Sequence, residues 1–221
     1  MPTANILVAA EKREFAGLLR RIPHQLLPWP NAAFAHVSGS RILLANGAGP
    51  RSIQQLFQEI SPDEKFSVTC IVSTGFCGAL DTSLKIGDIV VDGGPIRTSL
   101  PYIQGKICSI DHVVVTAEEK RQLRERTGAT VVEMEFAAVQ AVALKWGVPC
   151  QAIRVVSDTA GEDLPLDFNL YRDADGRFQL PRIAMSGLLS PFRVLPALLR
   201  LDRNSREASE KLGAFLAHCE F

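Results

Sequence analysis

Two acidic residues lie near the ends of strand-like runs, and they are the first candidates for chemistry in this chain. Glu135 follows the run at 130–132 and opens a predicted helix, and Asp158 follows the run at 150–157. A carboxyl group in such a place can exchange a proton with a ligand or accept hydrogen bonds from hydroxyl groups. Each residue also has a purely structural explanation, because an acid at a helix N-terminus is favoured by ~0.3 to 1 kcal/mol and an Asp can cap a turn.

Two glycine-containing loops are the next candidates. Gly47 and Gly49 follow a predicted strand and precede a predicted helix, in the spacing G-x-G-x-x-S. Backbone N–H groups there could face an anion at the helix N-terminus, although a tight turn that needs glycine gives the same pattern. Gly75 and Gly78 lie in a predicted loop at 74–78, where either a close backbone approach to a ligand or a plain turn explains them.

The elements that position these residues are short strands that alternate with helices. Most of the predicted strands are apolar throughout, which is typical of a mostly parallel sheet covered by helices on both faces. In such sheets ligands bind beyond the carboxyl ends of the strands, and the four candidate segments lie there. The predicted strands are residues 5–10, 33–37, 41–45, 68–73, 87–92, 112–115, 130–132 and 150–157, and the predicted helices are residues 11–21, 52–60, 117–127 and 136–146.

Length and composition favour one folded α/β domain. The chain has 221 residues, of which 47% are hydrophobic and 22% are charged. The 24 basic and 24 acidic residues cancel, so no broad positive field favours nucleic acid as a partner. Five cysteines, odd in number and widely spaced, indicate reduced thiols and no zinc site. No apolar run reaches about 18 residues and the N-terminus does not look like a signal peptide, so we expect a cytoplasmic protein.

Four segments, in this order, resemble the superfamily of purine nucleoside phosphorylases and methylthioadenosine nucleosidases. They are NGAG at 46–49, STGFCGAL at 73–80 with LKIGDIVV at 84–91, TGATVVEMEFAAV at 127–139 and RVVSDTAGED at 154–163. The resemblance implies a three-layer α/β/α sandwich with a central, mostly parallel mixed sheet. It assigns a catalytic domain to residues 1–181, with a C-terminal helical extension at 182–221 that packs on this domain or continues it.

The activity that the resemblance implies is cleavage of the N-ribosidic bond of a purine nucleoside. The enzyme would use no cofactor and no metal, with phosphate as a candidate co-substrate, and it would act as a homo-oligomer. Breaking the C1′–N9 bond leaves positive charge on the ribose and negative charge on the base. The site therefore needs a proton donor at the base and anchors for the sugar hydroxyls.

The resemblance assigns a role to each residue that matches the superfamily pattern. Asp158 would donate a proton to N7 of the purine, which requires the carboxyl to keep its proton near neutral pH, and Ser157 would orient Asp158. Glu135 would accept hydrogen bonds from the ribose 2′ and 3′ hydroxyls, and Met134 would pack under the sugar. Glu14 matches the Glu that activates water in the hydrolytic branch, although it could instead be a solvated residue on its helix.

The resemblance also implies loops that contact the base, phosphate or the attacking water. The residues of these loops are Gly47, Gly49, Gly75, Phe76, Cys77 and Gly78. Phe76 stands where many phosphorylases have serine, and a phenyl ring cannot donate a hydrogen bond to phosphate. The stretch between GDIVV and VEME is short and lacks the longer loop that contacts adenine in methylthioadenosine nucleosidases. Hydrolysis and phosphorolysis both stay open, and the missing loop leaves the identity of the base open as well, with adenine as the first candidate.

The C-terminal segment resembles a narrower branch, the hopanoid-associated phosphorylases, whose substrate is adenosylhopane, a lipid-linked nucleoside. Between Arg182 and Arg206 the chain has five Arg, one Asp and many leucines. A basic, leucine-rich amphipathic segment can rest on an anionic membrane surface, so we expect residues 182–206 to make peripheral contact with the inner membrane surface. Packing of this helix on the core or on a second subunit is the competing interpretation.

Two other classes are less favoured. A nicotinamide-dependent oxidoreductase would rest on G-x-G-x-x-S alone, and here that spacing follows a third β-run, not the first strand. A catalytically altered member that binds nucleosides or membranes would fit the change at Phe76. Because Glu14, Glu135 and Asp158 are all present, an enzyme is the better interpretation.

Overall fold

The computed structural model describes residues 3–29, 31–58, 67–173 and 177–221. Its strands are β1 (Thr3–Ala9), β2 (Gln25–Leu26), β3 (Phe34–Ser38), β4 (Arg41–Ala45), β5 (Ser67–Ala79), β6 (Ile89–Asp92), β7 (Ile103–Gln104), β8 (Ile107–Ser109), β9 (Val131–Glu133) and β10 (Cys150–Asp158). Its helices are α1 (Ala16–Leu19), α2 (Pro50–Leu56), α3 (Ala117–Thr127), α4 (Phe136–Trp146), α5 (Leu180–Leu189) and α6 (Val194–Ala217), with 3₁₀ turns at Lys12–Phe15 and Phe168–Tyr171.

These strands form one mixed sheet in the order β2-β3-β4-β1-β5-β10-β6-β7, and β9 joins β5 to β8. The central strands β4, β1, β5 and β10 are parallel, whereas β6 pairs with β10 antiparallel and β9 pairs with the end of β5 antiparallel. The carboxyl ends of β5 and β10 therefore lie side by side, as the sequence predicts.

Helices cover both faces of the sheet because the central strands are apolar on both faces. In β1, Leu7 packs in one core cluster with residues of α1 and α6, and the next residue, Val8, packs in another with residues of α2 and α4. This two-residue alternation is the pleat of a strand buried on both sides. The predicted three-layer α/β/α sandwich is confirmed.

The C-terminal half of α6 is part of the core. Leu212, Phe215 and Leu216 are buried against β-sheet residues. Gly213 and Gly17 let the backbones of α6 and α1 touch, since a Cβ on either glycine would collide with backbone atoms of the other helix. The Gly17 N–H donates to Ser209 Oγ at 3.2 Å, which fixes this contact. The first half of α6 instead leaves several leucines partly exposed.

Three predicted secondary structures differ from those observed. The predicted loop at 74–78 is the continuation of β5, because its backbone finds ladder partners on β10 and β9 that local sequence cannot reveal. The predicted strand at 112–115 is irregular, and its backbone bonds to side chains instead: the Val113 N–H donates to Asn169 Oδ1 at 2.7 Å and the Val115 N–H to Glu119 Oε2 at 3.0 Å. The predicted helix at 11–21 is a 3₁₀ turn followed by the short α1.

The bounds of α3 and α4 agree with the predicted 117–127 and 136–146. The predicted helix at 52–60 corresponds to α2, and its last two residues lie outside the described part of the chain. Among the described residues, no helix has the length and apolar character needed to cross a bilayer.

Candidate active site

A cavity of about 590 Å³ opens at the carboxyl ends of β5, β9 and β10. It brings together eight of the residues that the sequence singled out, which are Glu14, Phe76, Cys77, Gly78, Met134, Glu135, Ser157 and Asp158. Gly47, Gly49 and Gly75 are not among its lining residues. The cavity is lined by these carboxyl groups and also by many apolar side chains of the C-terminal segment.

Asp158, at the end of β10, has a side chain that is 15% exposed and faces this cavity. Ser157 Oγ lies 3.1 Å from Asp158 Oδ1, which places the serine where the sequence expected it. Lys120 Nζ donates to Asp158 Oδ2 at 2.6 Å. Sequence reasoning missed Lys120, although its position three residues before Leu123 puts both on the buried face of α3.

Glu135, at the start of α4, is buried, and its carboxyl lies beside Gly49 and Arg154. The Gly49 N–H donates to Glu135 Oε1 at 2.9 Å, and Arg154 Nη1 lies 3.4 Å from Glu135 Oε2. The pKa of Glu135 is raised to about 8, because burial and the neighbouring carboxyl groups raise it by more than the charge of Arg154 and the Gly49 hydrogen bond lower it.

Glu133, and not Glu135, caps α4. Its Oε2 accepts from the backbone N–H groups of Glu135 and Phe136, at 2.9 Å each. The capping explanation that the sequence allowed for Glu135 is therefore wrong. The Glu135 side chain instead forms part of the wall of the cavity. Met134 also lines the cavity next to it.

Arg154 is the cation at the centre of this cluster and was also missed. Its side chain is 0% exposed, and it forms an ion pair with Glu133 and hydrogen bonds with Ser73 Oγ at 2.6 Å and Thr74 O at 3.0 Å. Burial opposes its charge, yet the surrounding carboxylates raise the pKa of Arg154 above its ordinary value. The signal in the sequence was an arginine inside an otherwise apolar strand, since a buried charge needs partners.

Glu14 is buried in the 3₁₀ turn after β1, so a solvated position for it is wrong. Its Oε1 accepts from the Phe76 N–H at 2.6 Å and its Oε2 from the Glu11 N–H at 2.7 Å. Burial raises the pKa of Glu14, while these two hydrogen bonds and the charge of Arg154 lower it. Gly75 is needed beside it because the backbone has φ +133° there and a Cβ would collide with the Glu14 carboxyl.

The backbone amides that the sequence offered to an anion have partners within the chain. The Gly47 N–H donates to Ala10 O at 2.7 Å, the Gly49 N–H to Glu135, and the Phe76 N–H to Glu14. The Phe76 ring lies under the guanidinium of Arg13, 5.7 Å from its carbon to the ring centroid. Among the described residues, no cluster of three or more His, Cys, Asp or Glu side chains could hold a metal ion.

The C-terminal segment adds a mostly apolar part of the lining, in which Asp202 and Ser205 of α6 are the polar residues. Its larger apolar side chains come from the loop before α5, from α5 and from the first half of α6, and they are Leu164, Phe168, Phe178, Leu180, Ile183, Leu188, Leu195, Leu198, Leu199 and Leu201. The sequence pointed to this segment as a contact for membrane, core or subunit. Its part in the wall of the cavity was not predicted.

This fold and this cluster of carboxyl groups define an α/β protein with an acidic site at the carboxyl ends of its central strands. Residues 93–179 match the family model of the Phosphorylase superfamily. The chain is 30% identical over 149 residues to a 5'-methylthioadenosine/S-adenosylhomocysteine nucleosidase of Shewanella denitrificans. This match covers 49% of this chain and 64% of that protein. It is 40% identical over 68 residues to an aminodeoxyfutalosine nucleosidase of Helicobacter pylori, 31% and 29% of the two chains.

Solved structures with the same fold cover nearly the whole chain. The futalosine hydrolase of Helicobacter pylori superposes with a TM-score of 0.68 at 20% identity, over 97% of this chain and 95% of that one. The 5'-methylthioadenosine/S-adenosylhomocysteine nucleosidase of Neisseria meningitidis in complex with methylthio-immucillin-A gives 0.69 at 18% identity, over 99% and 98%. In these sequence segments and in its fold, the chain is similar to the nucleoside phosphorylases and methylthioadenosine nucleosidases.

Proposed function

We propose that this protein cleaves the N-ribosidic bond of a purine nucleoside, with adenine as the base. The observation that carries the proposal is the meeting of Asp158, Glu135 and Glu14 around one cavity, from three segments far apart in the chain. The sequence relatives named as nucleosidases support it.

In this mechanism each carboxyl group acts on a different part of the nucleoside. Asp158 passes a proton to N7 as the C1′–N9 bond breaks, so that the base leaves with the bonding electron pair as a neutral molecule. Glu135 accepts hydrogen bonds from the ribose hydroxyls, and Glu14 takes a proton from the water that attacks C1′. Ser157 and Met134 complete the contacts with the carboxyl and the sugar.

Water is the acceptor that the backbone around the cavity favours. The amides of Gly49 and Phe76 are bonded to carboxyl groups of the chain. The Gly47 N–H is likewise bonded, to Ala10 O. A phosphate that used these amides would first have to break a hydrogen bond within the protein, which is unfavourable.

The test is a release assay for free adenine, with and without phosphate, on methylthioadenosine, adenosine and adenosylhopane. We expect release that does not depend on phosphate. Release only in the presence of phosphate would show phosphorolysis and contradict the role of Glu14. No release from any of the three nucleosides would contradict the proposed function.

The apolar part of the cavity lining supports a nucleoside with a large apolar group on its 5′ carbon, for which adenosylhopane of hopanoid synthesis is the candidate. Once the base is at Asp158 and the ribose at Glu135, the remaining space is lined by the leucines of α5 and α6. Burying apolar substrate surface there is worth about 25 cal/mol per Å². We expect Leu198→Asn to raise KM for adenosylhopane more than for adenosine. Leu144→Asn, on the 82% exposed Leu144 of α4, is the control.

The α5–α6 hairpin supports contact with an anionic membrane surface. Leu189 and Phe192 are 77% and 96% exposed, and Arg193, next to Phe192 in the chain, is exposed as well. Exposed apolar side chains can insert into the interface of a bilayer, and neighbouring arginines can bind its anionic headgroups. We expect the protein to float with anionic liposomes and Phe192→Asp to weaken this, with Leu144→Asp as the matched control. If Phe192→Asp instead dissociates an oligomer and flotation is unchanged, a second copy covers the hairpin and the membrane proposal is wrong.

A further inference from the structure

Lys120 is a buried cation whose hydrogen-bonding capacity is filled at the edge of the cavity. Its side chain is 1% exposed. Nζ donates to Asp158 Oδ2 at 2.6 Å, to Thr159 O at 2.8 Å and to Glu162 O at 3.1 Å. These three acceptors match the three N–H groups of an ammonium. Nζ is therefore surrounded by three acceptors, and one of them is the carboxyl group of Asp158, which lines the cavity.

This contact changes what Asp158 can do by itself. A carboxyl group that gives its proton to a base must receive another proton before it can act again. The other charged side chains that share a small cleft with Asp158 are those of Glu162, Asp163 and Arg200. Glu162 contacts Lys120 through its backbone carbonyl, and Arg200 lies 4.0 Å from the Glu162 carboxylate. Among these described neighbours, Lys120 is the residue that can transfer a proton directly to Asp158.

We propose that Lys120 is the source of the proton that Asp158 delivers to the departing base. This inference rests on the proposed function. As the C1′–N9 bond breaks, its electron pair goes to the base, Asp158 gives a proton to N7, and Lys120 gives one of its protons to Asp158 and is left as a neutral amine. The proton that Glu14 takes from the attacking water returns to solvent, and solvent restores the Lys120 ammonium. Lys120 acts through Asp158, so it is a positioning and proton-supplying residue that does not touch the substrate.

The experiment compares Lys120→Arg, Lys120→Gln and Lys120→Met with the parent on two substrates. One is the adenine nucleoside that the parent cleaves best, and the other has the same sugar and 5′ group with 4-nitrophenol as the leaving group. 4-Nitrophenolate leaves without needing a proton. We expect all three variants to lose about 10²- to 10⁴-fold in kcat on the adenine substrate and far less on the nitrophenyl substrate. Lys145→Met, on an exposed lysine of α4, controls for loss of a lysine charge.

Lys120→Arg is the deciding variant, because arginine keeps the positive charge but does not give up a proton in proteins. A parental kcat for Lys120→Arg on the adenine substrate would overturn the proposal, since charge alone would then suffice. Equal losses on both substrates in every variant would also overturn it, because Lys120 would then only support the structure. If the parent itself released no adenine, the proposed function would fail, and that result is distinct from either outcome above.

Discussion

Arg154 lies fully buried among carboxyl groups, and replacing it with methionine removes the cation that they share. The guanidinium is paired with Glu133, lies 3.4 Å from Glu135 Oε2 and also acts on Glu14. Removing one partner of a buried ion pair typically costs about 3 to 5 kcal/mol, because the other charge stays buried without compensation. We therefore expect Arg154→Met to lower the free energy of unfolding by about that amount near neutral pH.

The loss should depend on pH in a direction that the structure fixes. The charge of Arg154 lowers the pKa of Glu14 and of Glu135, so its removal raises both values further. An acid whose pKa is higher in the folded state stabilises the fold below its unfolded pKa and loses that contribution as pH rises through the folded value. Since the pKa of Glu135 is already about 8, the variant should be closest to the parent near pH 5 and furthest from it at pH 9.

Urea unfolding at pH 5, 7 and 9 measures this effect, with Arg121→Met as the control. Arg121 also contacts two carboxylates, Glu118 and Glu125, but on the exposed face of α3, and such pairs contribute little to stability. A free energy of unfolding for Arg154→Met within about 1 kcal/mol of the parent at pH 7 and 9 would refute the view that Arg154 holds the carboxyl cluster together.

Three further predictions concern the cavity. Asp158→Asn should slow adenine release by about 10²- to 10⁴-fold, because the amide keeps the shape but gives no proton, and a parental rate would contradict this role. KM for the nucleoside should fall as pH rises toward 8, because the pKa of Glu135 is about 8 and the ionised carboxyl is the better acceptor for the ribose hydroxyls. Glu135→Gln should remove this dependence on pH. A KM of the parent that does not change with pH would contradict the role of Glu135. Gly75→Ala should destabilise the fold by about 1 to 3 kcal/mol in urea unfolding, since its Cβ meets the Glu14 carboxyl, whereas Gly161→Ala has open space around it and should change little.

The class of sheet and the acidic residues at the ends of its strands follow from the sequence. Apolar runs and helix patterns are local signals, which is why the bounds of α3 and α4 were predicted correctly. The carboxyl ends of parallel strands meet at one edge of a sheet, so Glu135 and Asp158 could be expected near each other before any coordinates were known.

Only the tertiary structure decided what surrounds these acids. Arg154 was visible as a charge in an apolar strand, but its partner Glu133 is 21 residues away and Ser73 is 81 residues away. Lys120 reaches Asp158 across 38 residues, and the C-terminal leucines close the cavity from the far end of the chain. A local pattern shows that a buried charge or an apolar face needs a partner. The partner of a buried charge or apolar face depends on how distant segments of the chain pack. That packing results from burial of the whole core.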